Sequence, residues 1–108
     1  MRRGDIITVA ISGDYGKPRP AVVIQSDALG ESESVLIVPF TTTLRDAPFY
    51  RLTIEPSDAT GLKAVSQIMV DKVAPCSRAK CGPVIGRLSP LEVLALGNLL
   101  SVMIGLAD

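Results

Sequence analysis

Short apolar runs separated by turn residues dominate the first 88 positions of the chain. Residues 5–11 are rich in β-branched side chains, and continuous apolar runs lie within 20–26 and 34–40. Such runs, bounded by Gly, Pro, Asp and Ser, are typical of β-strands. Shorter strands are predicted at 50–55, 64–70 and 84–87, with turns at 46–48, 56–61 and 76–83. Because no helical period separates the runs, the pattern favours a mainly β fold, a small SH3-like barrel, over a parallel α/β sheet.

The C-terminal segment has a different pattern. Ser89 is followed by Pro90 and, three positions after the serine, by Glu92, which predicts a helix with a capping box at its start. From 91 to 106 the residues are apolar nearly all round the helix, so it must be covered on more than one side. The segment is shorter than the roughly 20 apolar residues of a membrane span. We therefore predict burial against the barrel on one side and against a partner subunit on the other.

The composition is that of one globular domain, residues 1–108, with 47% hydrophobic residues. Eleven basic and eleven acidic residues cancel, which argues against a broad electrostatic grip on a nucleic acid. The charges are unevenly placed, however. Segment 52–88 holds five basic and three acidic side chains, and 89–108 holds no Lys or Arg. A locally positive face, large enough for a small substrate, is compatible with this distribution.

Histidine is absent from the chain, which removes the usual proton shuttle near neutral pH and the commonest metal ligand. Cys76 and Cys81 have no second pair to complete a zinc site, and we expect two reduced thiols, with a disulfide as the alternative. No metal or other cofactor is therefore expected. The N-terminus shows no signal-peptide pattern, which predicts a cytoplasmic protein.

Three polar clusters could carry chemistry. Arg19 lies between two prolines that hold the backbone extended, so its guanidinium could present a fixed fork to a phosphate, or could be a solvated strand entry. Thr41, Thr42 and Thr43 follow a buried run, where hydroxyls can bind phosphate oxygens or close a turn. Ser66-Gln67 lies inside an apolar stretch and could provide either structural hydrogen bonds or a pair that reads bases.

The order of several short motifs along the chain resembles that of the MazF/PemK toxins, and the resemblance covers essentially the whole sequence. The motifs are Arg3-Gly4-Asp5-Ile6, Arg19-Pro20-Ala21-Val22-Val23-Ile24, Val38-Pro39-Phe40-Thr41-Thr42, Pro48-Phe49, Gly61-Leu62, Ser66-Gln67 and Gly86-Arg87-Leu88-Ser89.

This resemblance implies a barrel-plus-helix homodimer of the CcdB/MazF type that cleaves single-stranded RNA at short sequences. Cleavage would be independent of ribosomes and metals and would leave a 2′,3′-cyclic phosphate and a 5′-hydroxyl. The resemblance places the catalytic arginine and threonine at Arg19 and Thr41. The RNA-binding residues expected around them are Gly16, Lys17, Thr42, Thr43, Ser66 and Gln67.

The resemblance also implies a cognate antitoxin, acidic and partly disordered, whose C-terminal segment covers the RNA groove. Two alternatives stay open at this point. One is a toxin with the same fold that poisons DNA gyrase, as CcdB does, and cleaves nothing. The other is a catalytically degenerate relative that only binds RNA or its antitoxin. The pairing of Arg19 with Thr41 favours the nuclease.

Overall fold

Seven β-strands and one α-helix make up the regular structure of residues 1–10 and 17–108, the part of the chain that the computed structural model describes. Three single-turn 3-10 segments connect some of the strands. The elements are β1 Asp5–Ala10, β2 Pro18–Val23, β3 Ser34–Thr41, β4 Arg51–Ile54, β5 Ser66–Met69, β6 Ala74–Ser77, β7 Cys81–Arg87 and α1 Pro90–Met103.

All strand pairs are antiparallel, and the sheet runs in the order β4-β5-β3-β2-β1-β7. Strand β3 is the centre of this arrangement. One of its edges pairs with β2, while the other pairs first with β6 and then, at its end, with β5. The predicted mainly β domain with a C-terminal helix is confirmed. The sheet is nevertheless open, because the described strands at its two ends, β4 and β7, do not pair to close a barrel.

Alternation along the strands gives the sheet two apolar faces. In β3, Val38 and Phe40 belong to a core cluster that includes Leu96 of α1, and we call this side the helix face. Val35 and Ile37 belong to a second cluster on the opposite side, with Val9 of β1. Because successive residues of a strand point to opposite faces, the odd-numbered positions of β3 all lie away from the helix. This alternation decides which polar side chains can meet.

The predicted capping box is present at the start of α1. Ser89 Oγ accepts a hydrogen bond from the Glu92 amide at 3.1 Å, and Glu92 Oε1 accepts one from the Ser89 amide at 2.8 Å. The helix ends at Met103, three residues before the predicted end. One side of α1 packs on the helix face, but Leu91 and Leu94 on its other side are 78% and 61% exposed. The helix thus leaves an apolar surface uncovered in the single chain.

The predicted turn at 76–83 is wrong over most of its length. Ala74–Ser77 forms β6 against the start of β3, with Pro75 opposite Leu36, and β7 already begins at Cys81. The Pro, Ser and Gly residues of this segment suggested a turn from local sequence alone. Pairing with β3, about forty positions earlier in the chain, overrides that local preference, and a proline is tolerated because β6 is a short edge strand.

Cys76 and Cys81 are both free thiols packed beside the second apolar cluster. Burial and the neighbouring Cys76 sulfur raise the pKa of the Cys81 thiol from 9.0 to about 11. At neutral pH the Cys81 side chain is therefore a protonated thiol, a weak nucleophile and a poor metal ligand.

The two ends of the chain are joined through Asp5, a buried carboxylate of β1. It forms an ion pair with Arg87 of β7 and accepts a hydrogen bond from the Arg2 amide at 2.7 Å. Arg87 also donates to the Arg3 carbonyl oxygen at 3.0 Å. The first and last of the sequence motifs thus meet in space and hold β1 against β7.

Candidate active site

Strand register places Arg19 and Thr41 on the same face of the sheet. Arg19 lies in β2, which begins at Pro18, and it is paired with Val9 of β1. The β2–β3 ladder ends where Ala21 pairs with Pro39, and Arg19 and Thr41 lie two residues beyond that pair on their own strands. Val9, the partner of Arg19, belongs to the second apolar cluster, and Thr41 lies on the same side of β3 as Ile37 of that cluster. The guanidinium and the hydroxyl therefore share one face of the sheet.

Two more strands contribute polar side chains to the same face. Thr41 pairs with Gln67 of β5, which in turn pairs with Thr53 of β4. All four residues occupy positions on the face opposite the helix, where the second apolar cluster ends and polar side chains begin. We call Arg19, Thr41, Gln67 and Thr53 the polar row.

Thr41 closes a turn and also remains half-exposed. Its Oγ1 accepts a hydrogen bond from the Thr43 amide at 3.1 Å. Because this bond uses one lone pair of the oxygen, the hydroxyl hydrogen remains available to donate to an approaching group. Turn closure and phosphate binding, the two interpretations of the threonine cluster, are therefore compatible in this geometry. Thr42 and Thr43 are exposed beside it.

Gln67 is buried, and both the oxygen and the nitrogen of its side-chain amide form hydrogen bonds within the chain. Its Oε1 accepts from the Arg45 amide at 3.0 Å, and its Nε2 donates to the Arg45 carbonyl oxygen at 3.0 Å and to Thr53 Oγ1 at 3.1 Å. Because residues 42–50 connect β3 to β4, these hydrogen bonds from Gln67 hold the connecting segment against the sheet.

Arg51 is a site residue that the sequence analysis missed. Its Nη1 donates to the Thr43 carbonyl oxygen at 3.2 Å and, over a longer 3.4 Å, to Gln67 Oε1. Its Nε is buried and has no hydrogen-bond partner among the described residues. The signal was present in the alternation of the predicted strand, because polar Arg51 and Thr53 flank apolar Leu52. That pattern puts both polar side chains on one face of β4.

The predicted pair Ser66-Gln67 is divided between the two faces of the sheet. Ser66 precedes Gln67 in β5 and therefore points to the helix face. It is buried, and its Oγ donates to the Ala64 carbonyl oxygen at 2.9 Å. The structure thus pairs Gln67 with Thr41, on the face that also carries Arg19, but turns Ser66 to the other face.

Of the remaining predicted RNA contacts, Lys17 is exposed directly before β2, and Gly16 lies outside the described residues. In residues 1–10 and 17–108, no group of three or more His, Cys, Asp or Glu side chains could hold a metal ion. None of the helices in these ranges is long and apolar enough to cross a membrane.

Comparison with known proteins gives matches over nearly the whole chain. A family model described as PemK-like, MazF-like toxin of type II toxin-antitoxin system matches residues 2–104. A protein from Mycolicibacterium smegmatis, named probable endoribonuclease MazF, is 46% identical over 108 residues, which are 99% of each chain.

Two solved structures show the same fold at low sequence identity. A mycobacterial endoribonuclease in complex with its cognate antitoxin superposes with a TM-score of 0.83 at 20% identity, covering 98% of this chain and 96% of that one. MazF in a MazE–MazF crystal structure from Deinococcus radiodurans gives a TM-score of 0.76 at 19% identity, with 97% and 95% coverage.

Proposed function

The chain belongs to the PemK-like, MazF-like toxins of type II toxin–antitoxin systems and is an endoribonuclease of that family, and we propose that Arg19 and Thr41 carry its reaction on single-stranded RNA. The observation that supports this assignment is that both side chains project from the same face of the sheet, near the ends of adjacent strands β2 and β3. Positions 19 and 41 are 22 residues apart in sequence, so only the fold brings them to the same face.

The proposed reaction is an internal displacement at phosphorus. The 2′-hydroxyl of the RNA loses its proton to water and attacks the adjacent phosphorus, the bond between phosphorus and the 5′ oxygen breaks, and that oxygen takes up a proton from water. The products are a 2′,3′-cyclic phosphate and a 5′-hydroxyl. Extra negative charge develops on the phosphoryl oxygens in the transition state, and fixed donors aimed at those oxygens lower its energy.

Arg19 and Thr41 supply two such donors. The guanidinium offers a planar fork of N–H groups with a permanent positive charge, which suits a phosphate and its developing charge. Thr41 donates its free hydroxyl hydrogen to a phosphoryl oxygen while its oxygen is held by the Thr43 amide. Because a guanidinium normally stays protonated, Arg19 is assigned to charge stabilisation.

The RNA strand is proposed to pass over the exposed side chains at the open end of the polar row. Lys17, Thr42 and Thr43 are exposed there and are proposed to contact phosphates and sugars. Gly16, which precedes Lys17 in the sequence, is proposed as a further RNA-binding residue. Ser66 and Gln67 use their polar atoms within the chain, so their part in RNA binding is to support the shape of this surface.

The antitoxin proposed for this protein covers the same surface. A related mycobacterial endoribonuclease was crystallised with its cognate antitoxin, which supports a protein partner of this kind. The excess of basic residues in 52–88 suits an acidic, partly disordered C-terminal segment. Both proteins are proposed to act in the cytoplasm.

A homodimer is proposed from the uncovered side of α1. Leu91, Leu94 and Val102 recur at helical spacing on that side and are at least half exposed in the single chain. Apolar stripes of this kind usually mark an interface. A second copy of the chain, presenting the same surface, would cover them.

Replacing Leu94 with glutamate is therefore expected to convert a dimer into a monomer, because the charge would be buried at the interface. Sedimentation velocity or light scattering measures the change in mass. The matched control is Leu29→Glu, since Leu29 is 67% exposed but lies far along the chain in the 3-10 turn before β3. A dimer that survives Leu94→Glu would contradict this interface.

The reaction itself is tested by incubating the purified protein with a long unstructured RNA in EDTA and mapping the ends produced. We expect discrete cuts with cyclic-phosphate and 5′-hydroxyl ends, since neither a histidine nor a metal is needed for charge stabilisation by Arg19 and Thr41. If RNA stays intact while the protein still arrests growth, the nuclease assignment fails and gyrase becomes the target to assay. A protein that binds RNA or antitoxin but neither cleaves RNA nor arrests growth would be a degenerate relative.

A further inference from the structure

The orientation of the Thr41 hydroxyl depends on the backbone just after it. The Thr43 amide donates to Thr41 Oγ1 at 3.1 Å. As long as that N–H stays in place, the hydroxyl hydrogen must point elsewhere and can meet a phosphoryl oxygen. If residues 43–45 moved, the hydroxyl could rotate, and its hydrogen could turn to a backbone carbonyl oxygen instead.

Two side chains from other strands hold residues 43–45. Gln67 bonds to both the amide and the carbonyl oxygen of Arg45, each at 3.0 Å, and Arg51 donates to the Thr43 carbonyl oxygen at 3.2 Å. Arg51 also approaches Gln67 Oε1 at 3.4 Å, which joins the two side chains. We call this set of contacts the loop clamp.

We propose that Gln67 and Arg51 are positioning residues for RNA cleavage: through the loop clamp they keep the Thr43 amide on Thr41 and so keep the Thr41 hydroxyl aimed at the scissile phosphate. This inference rests on the proposed catalytic role of Thr41. It assigns Gln67 a role in the reaction that requires no contact with a base.

The hydrogen-bond capacity of Gln67 supports this role over base reading. A glutamine amide has two N–H donors and two oxygen lone pairs. The donors go to the Arg45 carbonyl oxygen and to Thr53 Oγ1, and the oxygen accepts from the Arg45 amide and from Arg51. All four positions are occupied, and the side chain is 6% exposed. A base could bond to Gln67 only by displacing part of the clamp.

Arg51 adds a positive charge on the same face of the sheet as the polar row. Its position in β4 is two residues from Thr53, so both side chains point to the same side. Its guanidinium is held by the two contacts of Nη1, while its buried Nε has no hydrogen-bond partner among the described residues.

The test is a double-mutant cycle with Gln67→Ala and Thr41→Val, using a short RNA with a single cleavage site. In the native background, Gln67→Ala is expected to lower kcat by about 10- to 100-fold with little change in KM, because misplacement of a catalytic group has effects of this size. In the Thr41→Val background the same substitution should change kcat less than about twofold, since the group it positions is gone. The preferred cleavage sequence should stay the same.

Gln25→Ala is the matched control. Gln25 also pins backbone through its side chain, accepting from the Leu36 amide at 3.2 Å, but it acts at the start of β3, away from the polar row. Its removal should leave kcat unchanged. A second variant, Arg51→Met, tests the clamp if Gln67→Ala folds poorly, and it should show the same dependence on Thr41.

Three results would overturn the inference. A changed cleavage sequence in Gln67→Ala would show that Gln67 reads a base. Equal losses of kcat in the two backgrounds would show that it acts independently of Thr41. Unchanged amide hydrogen exchange at Thr43 and Arg45 in both clamp variants would show that the loop does not depend on them. This exchange measurement needs no RNA, so it separates failure of the clamp from failure of the nuclease assignment, which would appear as uncut RNA with the native protein.

Discussion

Arg19→Ala is expected to reduce the rate of RNA cleavage by about 10²–10³-fold, the loss that follows removal of one preorganised donor to a developing anion. The alanine leaves phosphoryl charge unsupported in the transition state, where Thr41 can offer only one neutral hydrogen bond. Because Arg19 is exposed at the start of β2, its removal takes no large side chain out of the core. Single-turnover cleavage of a short RNA measures the loss, with urea unfolding as the check on the fold.

Two further substitutions make this result specific. Arg19→Lys keeps the charge but loses the planar fork, so we expect activity between those of the native protein and the alanine variant. Lys80→Ala removes another exposed cation, in the turn between β6 and β7, and should leave the cleavage rate unchanged. Growth arrest in cells should disappear with Arg19→Ala. Arrest that persists in this variant would contradict the nuclease and favour a gyrase poison.

Gly86→Ala is expected to lower the free energy of unfolding by about 3 kcal/mol or more, at the upper end of overpacking effects. A Cβ at this position would lie 2.1 Å from the Thr60 carbonyl oxygen and 2.6 Å from that of Ala59. Neither group can move easily. The Ala59 carbonyl oxygen accepts from the Arg87 amide at 2.8 Å, and the Thr60 hydroxyl bonds to Ser57 and to the Leu62 amide. Urea unfolding measures the difference.

Gly30→Ala measures the effect of backbone conformation on stability at a position where an added Cβ has room. Gly30 has a positive φ of +65°, but nothing lies within 4 Å of an added Cβ. An alanine there should cost about 1–3 kcal/mol, because the combination of φ +65° with ψ −152° is open almost only to glycine. If Gly86→Ala unfolds at the same urea concentration as the native protein, the contact of β7 with residues 59–60 does not require glycine at 86.

Local sequence predicts most elements of this fold because their causes lie close together in the chain. The capping box needs only Ser89 and Glu92, and both of its hydrogen bonds are present. The apolar runs at 5–11 and 34–40 coincide closely with β1 and β3. The segment 74–83 fails for the opposite reason, since β6 exists only because distant β3 offers it an edge.

The candidate site was predicted in part. The sequence motifs select Arg19, Thr41 and Gln67, and all three lie on one face of the sheet, with Thr41 paired to Gln67. The motifs also suggest that Ser66 and Gln67 act as a pair. Adjacent residues of a strand point to opposite faces of the sheet, so these two side chains cannot act at one site. Arg51 was not selected, because its role depends on Thr43 and Gln67, which lie 8 and 16 positions away and meet it only when β4 pairs with β5.

By itself, then, the sequence determined the alternation that sorts side chains between faces, the helix and its cap, the absence of histidine, and the motifs of the toxin family. Each of these is a property of residue type or of residues a few positions apart. The tertiary structure alone decided that the sheet stays open, that Ser66 turns away from the polar row, and that Gln67 and Arg51 hold the loop beside Thr41. These features depend on register between strands that are distant in the chain, and register is set by how the whole sheet buries its two apolar faces.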